Sequence, residues 1–132
     1  MSTNLTTLCD QDSAEKLGLI FKTKKVHHVP IVNQEGGLIG IISQTDYERV
    51  CYGASLFRNP NVDSHNETLL RSLRVVDVMT KDVKTLRPTD NIHQAFAIFK
   101  QNAFRALPIV DKGKLVGMVT PLDLLDYFFQ NQ

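Results

Sequence analysis

The stretch Gly117-Met118-Val119-Thr120-Pro121-Leu122-Asp123 has a counterpart 77 positions earlier in Gly40-Ile41-Ile42-Ser43-Gln44-Thr45-Asp46. In both, an apolar run ends at a hydroxyl residue, and an aspartate follows three positions later. Thr120 and Ser43 suit the N-cap of a helix, and Pro121 suits the first helical position. Both stretches therefore predict a buried strand that leads into a helix, with a hydroxyl and a carboxylate side by side at the helix N-terminus.

The two stretches belong to an internal repeat that covers most of the chain. Residues 7–32 align with 85–110 at an offset of 78, and residues 36–46 align with 113–123 at an offset of 77. Each copy follows the order strand, helix, strand, strand, helix. Neither copy is large enough to bury both faces of its sheet, so we expect the two to pack together about a pseudo-twofold axis.

The predicted fold class is α/β (α+β), with two βαββα units. The turn-rich segment between them predicts a linker. In the first copy Asp12 or Ser13 is the predicted helix N-cap, and in the second copy it is Asp90. Each copy has a strand that contains proline, which we expect at a strand start or sheet edge. The predicted organisation is a first repeat at 1–52, a linker at 53–74 and a second repeat at 75–132.

The composition is that of a globular protein. Its 132 residues are 42% hydrophobic, and no apolar run approaches the roughly 20 residues of a membrane-spanning helix. A net charge of +1 argues against general binding to nucleic acid or a membrane surface. The first residues lack a secretory-signal pattern, and Cys9 and Cys51 lack metal-ligand spacing. We therefore expect a cytoplasmic protein with free thiols.

The order of these motifs resembles a tandem pair of CBS domains, the regulatory module of the cystathionine-β-synthase type. The resemblance covers both copies but not the linker or the extreme termini. It implies a βαββα repeat whose two copies form a flattened module that commonly dimerises. It also implies clefts between the copies that bind adenosine-containing ligands. The residues that carry it are Asp77-Val78-Met79-Thr80, the strands Val29–Val32 and Leu107–Val110, and the two stretches quoted above.

The resemblance implies two ligand sites. In each, the motif aspartate accepts hydrogen bonds from the ribose hydroxyls, and the preceding Ser or Thr contacts ribose or phosphate. A first-strand Thr lines the cleft, and a basic residue ahead of the proline strand approaches phosphate. The implied ligands are AMP, ADP, ATP or S-adenosylmethionine, with no required cofactor. By position, the first site takes Thr7, His27, His28, Ser43 and Asp46, and the second takes Thr85, Arg105, Thr120 and Asp123.

General chemistry supports these roles and also supports simpler ones. A carboxylate accepts two charge-assisted hydrogen bonds from a vicinal diol, and a helix N-terminus favours phosphate. The same Ser/Thr-x-x-Asp spacing is the pattern of a capping box. Thr7 and Thr85 also fit ordinary strand positions, and Arg105 also fits a surface-lying side chain. His27 and His28 also fit a solvated strand entrance, and no metal pair is expected there because adjacent strand residues face opposite ways.

The second site is the stronger of the two predictions. The lead-in Val76–Lys81 precedes only the second copy, and Pro121 sets the turn of the second motif. The leading hypothesis is a non-catalytic module that binds an adenosine nucleotide, signals by a change of conformation, and forms a homodimer through Phe128 and Phe129. The alternative is a ligand-free dimerisation scaffold whose motif side chains only cap helices. No catalytic pattern is found in the sequence, so an enzyme is not expected.

Overall fold

The structure is a computed structural model that describes residues 3–56, 72–101 and 104–130. The predicted linker, 53–74, lies mostly outside the described residues. The helix that precedes it is longer than predicted and continues to Leu56. The elements are β1 (Leu8–Cys9), α1 (Glu15–Thr23), β2 (His28–Val32), β3 (Leu38–Ser43), α2 (Gln44–Leu56), α3 (Val75–Val78), α4 (Ile92–Lys100), β4 (Leu107–Asp111), β5 (Lys114–Val119) and α5 (Pro121–Gln130).

The two copies share the same strand register. Leu8 pairs in parallel with Ile31, and Leu86 pairs in parallel with Ile109, so both partners recur at the offset of 78. β2 and β3 form an antiparallel hairpin, as do β4 and β5. Each hairpin has an irregularity directly after its isoleucine, Ile31 or Ile109. The repeat predicted from the sequence is therefore confirmed in the backbone pairing.

Proline occupies a central strand, which contradicts the expectation of an edge or strand start. Pro30 lies within β2, the middle strand of the sheet β1-β2-β3. The second copy shows why this is tolerated. The N–H of Leu86 donates to the C=O of Pro108 at 3.0 Å, and the N–H of Val110 donates to the C=O of Leu86 at 2.8 Å. The parallel pairing with Leu86 therefore uses the carbonyl of Pro108 as acceptor and the N–H of Val110 as donor. It does not need an N–H from Pro108, so the proline costs no hydrogen bond there.

The buried apolar residues form two clusters, one in each copy, rather than one shared core. The copies meet at their hairpin turns, where the N–H of Leu115 donates to the C=O of Gly36 at 3.1 Å. Gly37 forms a bridge with Lys114 beside this bond. The first cluster contains Leu8, Ala14, Leu17, Val29, Ile31, Ile42 and Val75, and the second contains Leu86, Ala95, Leu107, Ile109 and Leu124.

The lead-in to the second copy packs on the first copy. Val75, the first residue of α3, is fully buried in the first cluster, and its N–H donates to the C=O of Asp12 at 2.9 Å. Thr80 and Ile41 exchange two backbone hydrogen bonds of 2.9 and 3.1 Å. The lead-in therefore extends the sheet of the first copy beyond β3. The sequence-based assignment of this segment to the second site was wrong, because sequence adjacency does not report which sheet edge a segment joins.

Of the aspartates and the serine predicted as N-caps, only Ser13 binds the start of its helix. Its Oγ accepts a hydrogen bond from the N–H of Glu15, the first residue of α1, at 3.2 Å. Asp12 instead accepts a hydrogen bond from the N–H three residues before it, at 2.7 Å, and Asp90 does the same at 2.8 Å. Both aspartates therefore close a tight turn ahead of the helix. The cap of α4 is Asn91, which exchanges hydrogen bonds of 3.0 and 2.8 Å with Gln94.

Candidate functional site

A cleft with a volume of about 1240 Å³ opens between the two copies. The start of α2 and the loop before β2 form its first wall, and the start of α5 with the loop before β4 forms its second. The first wall contains Asn4, Leu5, Thr6, Lys25, Val26, His27, His28, Ser43, Gln44, Thr45, Asp46, Glu48 and Arg49, and the second contains Arg105, Met118, Thr120, Pro121 and Leu122.

Six of the nine predicted site residues line this single cleft: His27, His28, Ser43, Asp46, Arg105 and Thr120. Asp123 lines a separate cavity of about 210 Å³ beside α4. Thr7 and Thr85 line neither of these two cavities, so their roles stay predictions. Thr6 lines the cleft, although the repeat alignment had selected its neighbour Thr7.

The hairpin register brings Ser43 and His28 to the same end of the first sheet. These two residues are paired across β2 and β3. Ser43 ends β3, and its Oγ accepts a hydrogen bond from the N–H of Asp46 at 3.0 Å. The predicted role of Ser43 as a helix cap is therefore confirmed. The cap also orients the first turn of α2, so that Asp46 lines the cleft beside it.

The carboxylate of Asp46 does not complete a capping box. Among the described residues its closest charged partner is Arg49, whose guanidinium lies 3.6 Å from Oδ1. The Arg49 side chain is 78% exposed and the Asp46 side chain 35% exposed, and a pair this long and this exposed contributes little stability. The oxygens of Asp46 therefore remain available as acceptors at the edge of the cleft.

In the second copy, the carboxylate of Asp123 already accepts a backbone hydrogen bond. Its Oδ2 accepts a hydrogen bond from the N–H of Thr120 at 2.9 Å. The N–H of Asp123 in turn donates to Oγ1 of Thr120 at 3.3 Å. This is a reciprocal capping box, and Pro121 is the first residue of α5 as predicted. The two motifs are alike in sequence but differ in geometry, because a complete cap closes only the second.

The family follows from the residues that match its model. The CBS-domain model matches residues 1–52 and 75–130, which together are most of the chain. This chain belongs to the CBS-domain family. A protein of Methanocaldococcus jannaschii, uncharacterized protein MJ1225, is 30% identical over 125 residues. The match covers 95% of this chain and 40% of that relative, so this CBS pair spans less than half of the relative's length.

Solved CBS pairs share the fold. The CBS-pair protein CBSX2 from Arabidopsis thaliana has a TM-score of 0.81 and 24% identity, and the match covers 99% of this chain and 92% of that one. CBSX2 has also been solved in complex with AMP, with a TM-score of 0.77. The CBS pair of MJ0100, in complex with 5′-methylthioadenosine and S-adenosyl-L-methionine, has a TM-score of 0.76 and 22% identity, covering 100% of this chain and 94% of that one.

The lead-in supports the cleft from behind the first CBS motif. A Cβ on Gly40 would overlap the Met79 side chain and lie 3.0 Å from the C=O of Thr80. The absence of a side chain at position 40 therefore lets the lead-in strand lie against β3. Since Ser43 ends the same strand, the lead-in holds the strand that positions the first motif.

Charge in the cleft of this CBS pair is mixed, with a basic excess. Lys25, Arg49 and Arg105 line it together with Asp46 and Glu48, and the two histidines add titratable groups. Burial lowers the pKa of His28, and the neighbouring His27 lowers it further, while Asp46 partly offsets both effects. In the described part of the chain no three His, Cys, Asp or Glu side chains form a group that could hold a metal ion. Nor is any described helix long and apolar enough to cross a membrane.

Proposed function

We propose that this protein is a non-catalytic regulatory module that binds an adenosine-containing nucleotide in the cleft between its two CBS repeats. The observation that carries the proposal is the carboxylate of Asp46 beside Ser43, which has only a long, exposed ion pair with Arg49 and lies at the rim of a cleft lined by both repeats. A carboxylate with unused acceptor positions can bind both hydroxyls of a ribose through charge-assisted hydrogen bonds.

The rest of the cleft suits the remaining parts of a nucleotide. The basic side chains Lys25, Arg49 and Arg105 supply charge for phosphate, and an Arg can bind phosphate through two parallel hydrogen bonds. Val26 and Met118 supply apolar surface for the base. The complexes of CBSX2 with AMP and of MJ0100 with S-adenosyl-L-methionine support the adenosine class of ligand.

A ligand in this cleft would signal through the packing of the repeats. The two repeats have separate cores, and the cleft takes its walls from both. A ligand that contacts both walls binds one relative arrangement better than others, and it shifts the population by that difference in affinity. The proposed module is cytoplasmic and homodimeric, with its two repeats at 1–52 and 75–132.

A specific observation favours a second function for the second motif. Thr120 and Asp123 cap each other reciprocally, as they would in a ligand-free dimerisation scaffold. If both motifs act only as caps, the protein is such a scaffold. The first motif does not fit that alternative, because the carboxylate of Asp46 receives no backbone hydrogen bond in the described structure.

Binding to nucleotide-stripped protein tests the proposal. Thermal and calorimetric titrations with AMP, ADP, ATP and S-adenosylmethionine should find a ligand that stabilises the fold by about 2.7 kcal/mol at about 100 times its dissociation constant. Asp46→Ala should weaken that ligand about 10-fold or more, because it removes hydrogen bonds to a charged group. Asp123→Ala is the matched control and should weaken it less. The scaffold alternative is correct if none of the four compounds binds.

A further inference from the structure

The two histidines of the cleft lie side by side on its first wall. His28 is the first residue of β2 and His27 directly precedes the strand, so strict strand alternation does not separate them. Both line the cleft. The backbone carbonyl oxygen of His27 accepts a hydrogen bond from the N–H of Gln44 at 2.8 Å, which attaches this loop to the start of α2. The histidine pair therefore has a fixed place next to the first CBS motif.

A series of hydrogen bonds between side chains sets the tautomer of His27. The amide Nε2 of Gln44 lies 3.4 Å from a carboxylate oxygen of Glu48, to which it donates. The amide oxygen of Gln44 therefore faces His27, 3.2 Å from Nδ1. Since an amide oxygen only accepts, Nδ1 carries the hydrogen of the neutral ring. This leaves Nε2 as the acceptor nitrogen of the His27 ring.

His28 is half-buried, and its surroundings favour the neutral ring. Burial and His27 lower its pKa, and Asp46 offers partial compensation. The other charged groups that line the cleft are Lys25 ahead of β2, Glu48 and Arg49 on α2, and Arg105 ahead of β4. An anion in the cleft would favour the charged form of the half-buried ring.

We propose that the cleft takes up a proton when it binds a phosphate-bearing nucleotide, and that His27 and His28 receive it. This inference rests on the proposed function and adds the regulation of the same site. A phosphate beside the pair favours the imidazolium form, which gains an N–H donor for a phosphate oxygen. By linkage, protons in turn tighten phosphate binding. An uncharged ligand such as 5′-methylthioadenosine does not produce this coupling.

The size and direction of the effect follow from linkage. Uptake of one full proton tightens binding about tenfold for each unit by which pH falls, and partial uptake gives proportionally less. A phosphate group itself gains a proton near about pH 6, which reduces its charge and works against the histidines. The affinity for AMP should therefore rise as pH falls from about 8 to about 6.5, the range in which histidine titrates.

Titration of the imidazole signals by NMR, with and without AMP, tests the inference on the intact protein. The His27→Asn and His28→Asn variants assign the signals. With AMP bound, the pKa of at least one of the two rings should rise by about one unit or more. His93, exposed on α4 and not among the residues that line the cleft, is the internal control and should not change.

The two ways of failing are distinguishable. If AMP shifts signals of the cleft but leaves both histidine pKa values unchanged, the inference is wrong and the proposed function stands. If AMP, ADP, ATP and S-adenosylmethionine all leave the signals of the cleft unchanged, both are wrong. Calorimetry in buffers of different ionisation enthalpy gives a second readout. The double variant His27→Asn/His28→Asn should lose the proton uptake seen with AMP, and His93→Asn should retain it. Equal uptake in wild type and the double variant would assign the proton to the phosphate.

Discussion

The residue that distinguishes the two motifs is the aspartate, and the difference lies in what its carboxylate already binds. In the second motif Asp123 accepts the N–H of Thr120 at 2.9 Å. In the first, the nearest charged partner of Asp46 among the described residues is an exposed arginine at 3.6 Å. A carboxylate that caps its own helix has one oxygen already engaged, so it offers a ligand fewer acceptor positions. We therefore expect Asp123 to contribute mainly to stability and Asp46 mainly to binding, which reverses the ranking of the two sites that the sequence favoured.

Alanine substitutions should separate these two contributions. Asp123→Ala removes a charge-assisted hydrogen bond at the start of α5, and we expect it to lower the free energy of unfolding by about 1 kcal/mol more than Asp46→Ala does. The loss of favourable interaction with the helix dipole is common to both variants and cancels in the comparison. Urea denaturation measures both values. Equal losses of stability would contradict the prediction, because they would mean that the two carboxylates stabilise their helices by the same amount.

Tyr47 predicts a dependence of stability on alkaline pH. Burial raises the pKa of Tyr47 from 10.0 to about 12, and a hydrogen bond with Cys51 adds to the effect. Because the raised pKa favours the neutral phenol in the folded state, this contribution is fully present below about pH 10 and is lost as pH rises towards about pH 12. Tyr47→Phe should therefore lose less stability than wild type between these limits. Denaturation curves at the two pH values measure the difference, and parallel losses in the two proteins would contradict the prediction.

At the scale of elements, the two repeats are linked by the lead-in, which consists of α3 and the residues that follow it up to Thr80. The segment precedes the second repeat in sequence but joins the sheet of the first through Thr80 and Ile41. Gly40 is the position at which this arrangement is most sensitive, since a Cβ there would meet both the Met79 side chain and the C=O of Thr80. The lead-in therefore depends on the absence of one side chain in β3.

The Gly40→Ala substitution tests this dependence. The added methyl group should destabilise the protein by about 1–3 kcal/mol, as overpacking does in a close-packed interior. The Met79→Ala substitution removes the overlap with the Met79 side chain but not the overlap with the Thr80 carbonyl. The double variant Gly40→Ala/Met79→Ala should therefore lose less stability than the two single variants lose in sum. Chemical denaturation of the four proteins gives the coupling energy. Strict additivity would show that the lead-in does not press on β3 at this position.

The elements that the sequence predicted well are those with a local physical cause. Pro121 and Thr120 start α5 as their chemistry predicts, and the repeat alignment predicted the strand register. The errors come from contacts that have no local signal. The helical spacing of apolar residues in the sequence predicts that Phe96 lies on the buried face of α4, together with Ile92, Ala95 and Phe99. Phe96 is instead 51% exposed, and Ile98 packs against the second core. Spacing gives the width of an apolar stripe but not which edge of it the neighbouring sheet covers.

The site was predictable in its residue types and less so in its geometry. The two Ser/Thr-x-x-Asp motifs and the basic residues ahead of each proline strand were identified from the sequence. Six of the nine predicted site residues line one cleft. The sequence does not show that the two predicted half-sites share that cleft, because the offset of a repeat carries no information on how its copies face each other. Nor does it show that Asp123 is engaged with Thr120 while Asp46 is not, since both fit the same spacing.

At the scale of the whole molecule, the helix α5 joins two surfaces. Its first residues, Pro121 and Leu122, line the cleft. Farther along, Leu125, Phe128 and Phe129 are exposed by 53%, 46% and 73%. Spacings of three and four residues place these side chains on one face of the helix. A nucleotide at the start of α5 and a partner on this apolar face would thus contact the same rigid element, which gives the proposed signal a direct route between them.

The apolar face of α5 predicts a homodimer, because monomeric soluble proteins rarely expose a contiguous apolar patch of this kind. A second copy of the same protein is the expected partner, as the CBS resemblance implies. Phe129→Asp should convert the dimer to a monomer, since it places a charge in a buried contact. Leu19→Asp is the matched control, because Leu19 is 65% exposed on α1 and should leave the dimer intact. Light scattering after size exclusion measures the mass of each, and a wild-type protein that is monomeric at micromolar concentration would contradict the prediction.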